Sequence, residues 1–343
     1  MSAPSTTAPG GEARPVAAIS RRAGVALLAL PVLALRPAKA QTDTFPSRPM
    51  RFFVPVSAGG SADAQARLVA QRLSERWGQA AVVENRPGAN GIVAAQAFLQ
   101  APADGHTVYA TPSGPIAINP HLYRRLPYDP FRDFAFASLL SVIPLVLVAH
   151  PSLPANTLQE FLALSRRQGD ALAHASAGIG TPSHLTIAMT RTMGQGGNPT
   201  HVPFGGSAPA LTSLVSGHTM AMWDAAVSAA PFVRDNRLKA IAVAHPTRLA
   251  LLPDVPTTAE QGVPELLSAT WMSLCTHAAT PPDRVRRLSA EVDRILNLPD
   301  VRELLASQGA IVRGGTPEEF AAFARAESEK WGRLVRETGA SIE

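Results

Sequence analysis

The sequence has few of the features that cross-link a fold or anchor it in a membrane. Cys275 is the single cysteine among 343 residues, so no disulfide can form within the chain. Lysine occurs only three times, and no apolar run reaches the ~20 residues that a membrane-spanning helix needs. We therefore expect a fold held by core packing, with the cysteine as a small buried apolar residue.

The familiar catalytic templates are also missing. The chain has no Gly-x-Ser-x-Gly elbow, no Gly-x-x-x-x-Gly-Lys phosphate loop and no His-Glu-x-x-His pair. Its nine histidines show no metal-ligand spacing, so we expect neither a metal nor a cofactor. Because the fold, and not sequence spacing, assembles a catalytic triad, an exported hydrolase that uses Ser183, His184 and Asp224 stays as the alternative function.

The first forty residues are built differently from the rest. An arginine pair at 21–22 precedes the apolar run 23–35, and an Ala-Lys-Ala pattern ends at Ala40. This order predicts an export signal over 1–40 and hence a periplasmic protein. The arginine pair suggests the twin-arginine route, but the residues after it are not the usual ones, so the Sec route is an equal alternative.

Most of the chain's basicity comes from this segment. The whole sequence has a formal net charge of +5, whereas residues 41–343 contain 26 basic and 25 acidic side chains. A nucleic-acid-binding surface requires concentrated positive charge. We therefore expect no nucleic-acid partner, and no insertion into a membrane once the signal is removed.

Two short glycine-rich loops are the most informative part of the remaining sequence. Each follows a strand-like run and precedes a helix-like run, and the unpaired amides of a helix N-terminus bind anions. Glycine lets a ligand approach the backbone closely, although an ordinary strand-to-helix turn favours the same residues. The loops are Ser57-Ala58-Gly59-Gly60-Ser61-Ala62-Asp63 and Ser176-Ala177-Gly178-Ile179-Gly180-Thr181-Pro182-Ser183.

Strand-like and helix-like segments alternate along the chain, which predicts an α/β fold of parallel sheets with helices on both faces. Ligands of such sheets bind beyond the carboxyl ends of the strands, where both loops fall. The apolar run 145–149 predicts a strand buried on both faces near a domain crossing, and 270–276 the return crossing. Helix starts are predicted at Asp63 as an N-cap and at two capping boxes, Thr157 with Glu160 and Thr257 with Glu260.

Several single residues allow two interpretations. Asp224, at a strand end, would accept a hydrogen bond from a ligand or cap the following helix. His184 would be a structural residue, a ligand contact or a base. Trp223 and Trp271 would line a cleft or pack in the core. Gly178-Ile179-Gly180 resembles the start of a dinucleotide fingerprint, but its sixth position is a serine and the later acidic residue is missing.

From about residue 46 to 331 the order of motifs resembles the Bug family, the periplasmic substrate-binding proteins of tripartite tricarboxylate transporters. The residues that carry the resemblance are Gly59-Gly60 with Asp63 and Arg67; Val83-Glu84-Asn85-Arg86-Pro87-Gly88; Asp104-Gly105; His150-Pro151-Ser152-Leu153-Pro154; Gly178 through His184-Leu185; Val202-Pro203-Phe204-Gly205-Gly206; and Leu252-Pro253-Asp254-Val255-Pro256-Thr257 with Glu260 and Gly262.

The resemblance implies a type II periplasmic-binding-protein fold, in which two α/β lobes joined by two crossing strands enclose a small carboxylate. We place lobe 1 in residues 41–143 and 271–343 and lobe 2 in residues 144–270. The implied function is that of a monomeric receptor, not an enzyme. It would deliver an organic acid or amino acid to the membrane components of a tripartite transporter, or signal through a partner protein.

In this family, loops of both lobes grip the carboxylate through backbone amides, hydroxyls and ordered water. The resemblance therefore implies a site without catalytic residues. The positions of this chain that match are Ser57, Gly59, Gly60, Ser61, Gly180, Thr181, Ser183, His184, Gly205 and Asp224.

Overall fold

The strands and helices follow the alternation expected from the sequence. A computed structural model describes residues 44–59, 61–338 and 341–342, so the expected export signal and Gly60 lie outside it. The described residues all belong to one compact unit. No helix among them is long and apolar enough to cross a membrane.

The sheets are formed by ten strands of the described chain: β1 (Met50–Val54), β2 (Ala81–Asn85), β3 (Thr107–Pro112), β4 (Phe134–Ala149), β5 (Ala173–Ser176), β6 (Thr200–Pro203), β7 (Ala221–Ala225), β8 (Lys239–Val243), β9 (Ala269–His277) and β10 (Ile311–Val312).

The helices are α1 (Ser61–Trp77), α2 (Ile92–Leu99), α3 (Asn119–Leu122), α4 (Pro130–Asp133), α5 (Leu158–Gln168), α6 (Pro182–Thr192), α7 (Ser207–Val215), α8 (Ala226–Arg234), α9 (Pro282–Leu296), α10 (Pro299–Ser307) and α11 (Pro317–Thr338). Short 3-10 turns span Ala89–Gly91 and Gly169–Ala171, and a π-helical turn spans Gly114–Ile118.

The strands form two groups that share β4. The order along the whole sheet is β2-β1-β3-β9-β4-β7-β5-β6, and β8 and β10 also pair with β4. β1 is parallel to β2 and β3, and β5 is parallel to β6 and β7. β4 and β9 run antiparallel between these two parallel groups. The result is a mixed α/β fold in which the carboxyl ends of two separate parallel groups are available for ligand binding.

The long strand β4 changes its partners halfway along. Its residues 134–144 pair with β9, whereas Leu145 and the residues after it pair with β7. The apolar run 145–149 is buried on both faces, as predicted. Leu147 packs in the larger core cluster, and its neighbour Val148 packs in a second cluster with Leu211 and Met222.

The first half of β4 was not predicted. Its sequence is interrupted by Ser138 and Ser141, which made it a poor match to a buried apolar strand. Both serines are fully buried, and the Ser141 hydroxyl donates to Oε1 of Gln65 at 2.7 Å. This hydrogen bond offsets the cost of burying the Ser141 hydroxyl, whereas the Ser138 hydroxyl has no partner among the described residues.

Two of the predicted helix starts differ from the structure. α1 begins at Ser61, so Asp63 lies within its first turn and the prediction of an N-cap was wrong. The backbone turns earlier, at Gly59 with φ +90°, and Asp63 reaches back to the loop from inside the helix. Thr257 and Glu260 do exchange the two hydrogen bonds of a capping box, but the segment after them consists of turns.

The other predictions of core and capping residues are confirmed. Thr157 and Glu160 form the capping box that starts α5. Trp223 and Trp271 are at most 1% exposed and pack in the core, which excludes the interpretation that they line a cleft. Cys275 is also fully buried, and this burial raises the pKa of its thiol.

Candidate ligand-binding site

The part of the first glycine loop that the structure describes between β1 and α1, residues 55–59, is organised by a buried carboxylate. Asp63 is 3% exposed and accepts hydrogen bonds from the amide of Gly59 at 2.9 Å, from Arg67 at 3.0 Å and from Asn85 at 2.8 Å. Burial alone would raise the pKa of Asp63, but these three donors hold it below its ordinary value. The helix start therefore already carries an anion of its own.

The second glycine loop, residues 177–181, follows β5 and is organised by hydroxyl groups. Thr181 is the N-cap of α6: its Oγ1 accepts from the amide of His184 at 3.3 Å and donates to the carbonyl of Gly178 at 2.7 Å. The hydroxyl of Ser183 donates to the carbonyl of Trp223 at 2.5 Å and accepts from the amide of Ala177 at 3.2 Å. No charged group takes part in these contacts.

Most amides of this second loop donate to a residue of the loop, to the end of β5 or to the first turn of α6. Gly178 donates to Oγ of Ser176 at 3.2 Å, and Gly180 donates to Nδ1 of His184 at 3.3 Å. The residue Pro182 has no amide hydrogen. In the described conformation the amides that remain for a ligand are therefore those of Ile179 and Ser183, fewer than the sequence had suggested.

One turn connects the two loops. Asn85, at the end of β2, donates to the carbonyl of Val56 in the first loop at 3.0 Å as well as to Asp63. Five residues later, Nδ2 of Asn90 donates to the carbonyl of Gly180 in the second loop at 3.2 Å. The turn 85–91 thus holds both glycine loops in one region, although they follow strands of different parallel groups.

Asn90 is the site residue that sequence reasoning missed. It has a left-handed backbone with φ +48°. Its side-chain Nδ2 donates to Oδ1 of Asn119 at 2.7 Å, and its backbone carbonyl accepts from Nδ2 of Asn119 at 3.0 Å. An asparagine followed by glycine in a Pro-Gly-rich turn is a signal for this conformation. Residues 87–91 carry this signal, but the signal does not indicate which distant residues Asn90 contacts.

A third loop, after β6, brings further polar groups to the second parallel group. Ser207, the first residue of α7, donates to Oδ1 of Asp224 at 2.7 Å. Oδ2 of Asp224 is buried and has no hydrogen-bond partner in the described part of the chain. Gly205 is exposed, and a Cβ added there would meet nothing within 4 Å. This loop can therefore accommodate small substitutions, whereas Asp224 sits in a confined polar environment.

Burial raises the pKa of Asp224 to about 7, and the hydrogen bond from Ser207 only partly opposes this. Asp224 lies inside β7, and the helix that follows, α8, has no side-chain hydrogen bond at its N-cap. The capping interpretation of Asp224 thus finds no support. An incompletely paired buried carboxyl is typical of functional sites.

The residues proposed for a hydrolytic triad are not arranged as one. The hydroxyl of Ser183 points to the carbonyl of Trp223 and not to an imidazole. Nδ1 of His184 is taken by the amide of Gly180, and the ring stacks on His201 with a centroid distance of 4.2 Å. Among the described residues, no group of three His, Cys, Asp or Glu side chains is placed to hold a metal.

A mixed α/β fold with polar loops at the carboxyl ends of two parallel groups is the architecture of a solute-binding protein. A family model described as "Tripartite tricarboxylate transporter family receptor" matches residues 65–340. The chain belongs to this family of receptors. Its family and its structural neighbours are binding proteins and not enzymes.

Named relatives in other bacteria cover nearly the whole chain. The protein BugT of Bordetella pertussis is 32% identical over 89% of this chain and 94% of its own length. A UPF0065 protein from the tcbD-tcbE intergenic region of a Pseudomonas strain is 35% identical over 94% of this chain and 96% of its own length.

Solved structures of similar proteins also match this chain over most of its length. MatC of Rhodopseudomonas palustris with bound malate superposes with a TM-score of 0.78 at 34% identity, covering 85% of this chain and 100% of that one. A second R. palustris protein, solved with adipate, has a TM-score of 0.82 at 31% identity, with 87% and 100% covered. The periplasmic binding protein BugD has a TM-score of 0.79 at 28% identity, with 87% and 100% covered. The expected fold class is therefore confirmed.

Proposed function

We propose that this receptor captures a small organic acid between two lobes in the periplasm and delivers it to the membrane components of a tripartite tricarboxylate-type transporter. The observation that carries the proposal is the turn 85–91, which contacts the first glycine loop through Asn85 and the second through Asn90. Two helix N-termini from different parallel groups therefore face one region. Relatives about one-third identical, with malate and adipate in their structures, support a carboxylate as the ligand.

The proposed lobes follow the pairing of the crossing strands. The partner change in β4 falls between Pro144 and Leu145, next to the proposed boundary of lobe 2. The return crossing is β9, which begins at Ala269. We propose that lobe 1 consists of 41–143 and 271–343 and that both lobes close over the ligand by small changes where these strands cross.

The ligand site we propose uses groups from both lobes. Ser57, Gly59, Gly60 and Ser61 would provide the first loop, and Gly180, Thr181, Ser183, His184 and Gly205 would provide or shape the loops of the second lobe. Asp224 would recognise a donor on the ligand, because its Oδ2 has no partner in the described part of the protein. A hydroxyl or ammonium group beside the carboxylate would satisfy this oxygen.

A thermal-shift series tests the proposal. Malate, adipate and an amino acid are compared with the neutral diamides of the same two acids, using the protein without its first forty residues. A ligand that binds only the folded state at 100 times its dissociation constant adds about 2.7 kcal/mol, or a rise in melting temperature of about 5 °C.

We expect at least one acid to raise the melting temperature and its diamide to have no effect, because the amides of the loops recognise negative charge. Equal shifts by acids and diamides, or no shift with any carboxylate, would contradict the proposed ligand class. Gel filtration of the same sample tests the expected monomer.

A further inference from the structure

Two residues of the proposed lobe 1 contact the second glycine loop, which belongs to the proposed lobe 2. Nδ2 of Asn90 donates to the carbonyl of Gly180 at 3.2 Å. Leu122, at the end of α3, packs against the same glycine, because a Cβ added to Gly180 would lie 2.4 Å from its Cδ2. One polar and one apolar contact therefore cross between the two proposed lobes at a single residue.

Asn90 is held in place by residues of its own lobe. Its Nδ2 also donates to Oδ1 of Asn119 at 2.7 Å, and Nδ2 of Asn119 donates to the carbonyl of Asn90 at 3.0 Å. Asn119 is fully buried, and its Nδ2 donates in addition to the hydroxyl of Tyr128 at 3.2 Å. A side chain that is fixed in this way loses little conformational entropy when it meets Gly180.

Backbone hydrogen bonds hold the end of α3 in place. Leu122 is 1% exposed, and its carbonyl accepts from the amide of Ile342 at 2.8 Å. The carbonyl of Ile342 accepts from the amide of Arg124 at 3.1 Å. Leu122 therefore presents a fixed apolar side chain to the second glycine loop.

The two contacts leave the anion-binding groups of the loop unused. A carboxylate requires hydrogen-bond donors, whereas the carbonyl of Gly180 is an acceptor and the side chain of Leu122 is apolar. The two hydrogens of Nδ2 of Asn90 are shared between Asn119 and Gly180. The contacts are thus compatible with any ligand that binds the amides of the loop.

We propose that Asn90 and Leu122 form a latch on Gly180 that stabilises the closed arrangement of the lobes independently of the ligand. The inference rests on the proposed function, because it requires two lobes that open and close. A contact made only in the closed form adds the same free energy with every ligand, so it changes all affinities by the same factor. Asn90 and Leu122 are then positioning residues that set the overall affinity without selecting among acids.

Distances between two spin labels, measured by pulsed electron paramagnetic resonance on the protein without added ligand, test the latch. The labels are attached at Gln96→Cys on α2 and at Thr192→Cys on α6, two exposed positions in different proposed lobes. The native Cys275 is fully buried, so it is not labelled in the folded protein.

Two variants remove the latch and a third is the matched control. Asn90→Gly deletes the hydrogen bond and suits the left-handed backbone, whose φ is +48°. Leu122→Ala deletes the apolar contact and decides the question if the first variant does not fold. The control is Asn85→Ala, because Nδ2 of Asn85 also makes two hydrogen bonds in the same turn, but both partners, Val56 and Asp63, lie in lobe 1.

We expect both latch variants to shift the distances towards an open arrangement, whereas Asn85→Ala keeps the distances of the wild type. Unchanged distances in both latch variants would overturn the proposal, as would an equal shift in Asn85→Ala. Because no ligand is added, this result does not depend on whether any acid binds.

Calorimetric titration adds a second test. Asn90→Gly should bind malate and adipate more weakly by one common factor of up to roughly fivefold, the effect of one net hydrogen bond. A loss confined to one of the acids would assign Asn90 to the ligand contacts and overturn the latch. If the wild type binds neither acid, the proposed function is contradicted and the distances alone decide on the latch.

Discussion

The first glycine loop is held by an ionised carboxylate, whereas the second is held by hydroxyls and a neutral imidazole. In the first, Asp63 accepts hydrogen bonds from the amide of Gly59 and from the side chains of Arg67 and Asn85. In the second, the uncharged side chains of Thr181 and His184 accept the amides of His184 and Gly180, respectively. Similar sequences rich in Gly, Ser and Ala thus fold into loops with different electrostatics.

The difference matters for an incoming anion. At the first loop a ligand carboxylate meets a helix start whose dipole already interacts with Asp63. At the second loop it meets amides with no negative side chain in the described hydrogen-bond network. We therefore expect the second loop to contribute more to anion affinity, and the first loop to be the more firmly fixed of the two.

The largest expected loss of stability is at Asp63. Asp63→Ala removes the buried, charged acceptor of three hydrogen bonds and should lower the free energy of unfolding by about 3 kcal/mol. The matching change in the second loop, Thr181→Ala, removes one helix cap and should cost about 1 kcal/mol. Urea unfolding of both variants measures the two values. Equal costs would show that the two loops do not differ in the way described.

The next largest difference in the free energy of unfolding is expected between the glycines of the two loops. Gly59 and Gly180 both have positive φ, at +90° and +79°, so alanine strains either position. A Cβ at Gly180 would lie 2.4 Å from Cδ2 of Leu122, whereas at Gly59 it would meet nothing within 4 Å. We expect Gly180→Ala to cost about 2 kcal/mol and Gly59→Ala about 1 kcal/mol in the same unfolding measurement. The reverse order would contradict the close packing of the second loop.

The two loops should also lose stability in different ranges of pH. Burial lowers the pKa of His184 to about 4, below its ordinary value of 6.5, so the unfolded state takes up a proton first as the pH falls. Stability from this residue is complete above pH 6.5 and falls towards pH 4, by about 1–2 kcal/mol at pH 5. Because the pKa of Asp63 is lowered from 3.8, the stability that its ionised carboxylate contributes is lost only below about pH 4.

His184→Gln removes this titration, while the neighbouring His174 and His201, whose pKa values burial also lowers, still titrate in the variant. Unfolding of both proteins between pH 4 and pH 8 should show a shallower slope for the variant between pH 6.5 and pH 4. Identical slopes would mean that the imidazole of His184 is not held neutral by the second loop.

A gain of stability, in contrast to the losses above, is expected at Asp224. Its pKa is raised to about 7 from 3.8, so the folded state keeps a proton that the unfolded state loses, and stability falls as the pH rises from 4 to 7. Asp224→Asn removes this loss and should stabilise the protein without ligand by about 4 kcal/mol at pH 8, with little effect at pH 4. The exposed Asp254→Asn is the control. Destabilisation by Asp224→Asn at pH 8 would show that its charged form is well solvated.

Local sequence signals predicted most of the elements but not how the site is assembled. The capping box located the start of α5, and strand-like and helix-like runs located α1 and the strands before both glycine loops, because these signals act within a few residues of each other. The first half of β4 was not predicted because it contains two buried serines, and the partner of one of them, Gln65 for Ser141, is distant in the chain. Asn90 was not predicted as a site residue for the same reason, since its partner Gly180 is 90 residues away.

The glycine pattern also overstated how many amides of the second loop are free. Sequence position indicates which amides lack a helical partner, but it does not indicate which side chains turn back to them. Ser176, Ser183 and His184 each accept an amide of the loop in the structure. This competition between side chains and ligand for the same donors is set by rotamers, which periodicity does not report.

Calorimetric titration of the best acid into the wild type, Gly59→Val and Gly180→Val tests the central claim most directly, namely that one carboxylate is held by both glycine loops. Circular dichroism of each variant first establishes that it is folded. We predict that both folded variants lose affinity by at least about tenfold and that the loss is larger for Gly180→Val. Wild-type affinity in either folded variant would contradict a site built from both loops.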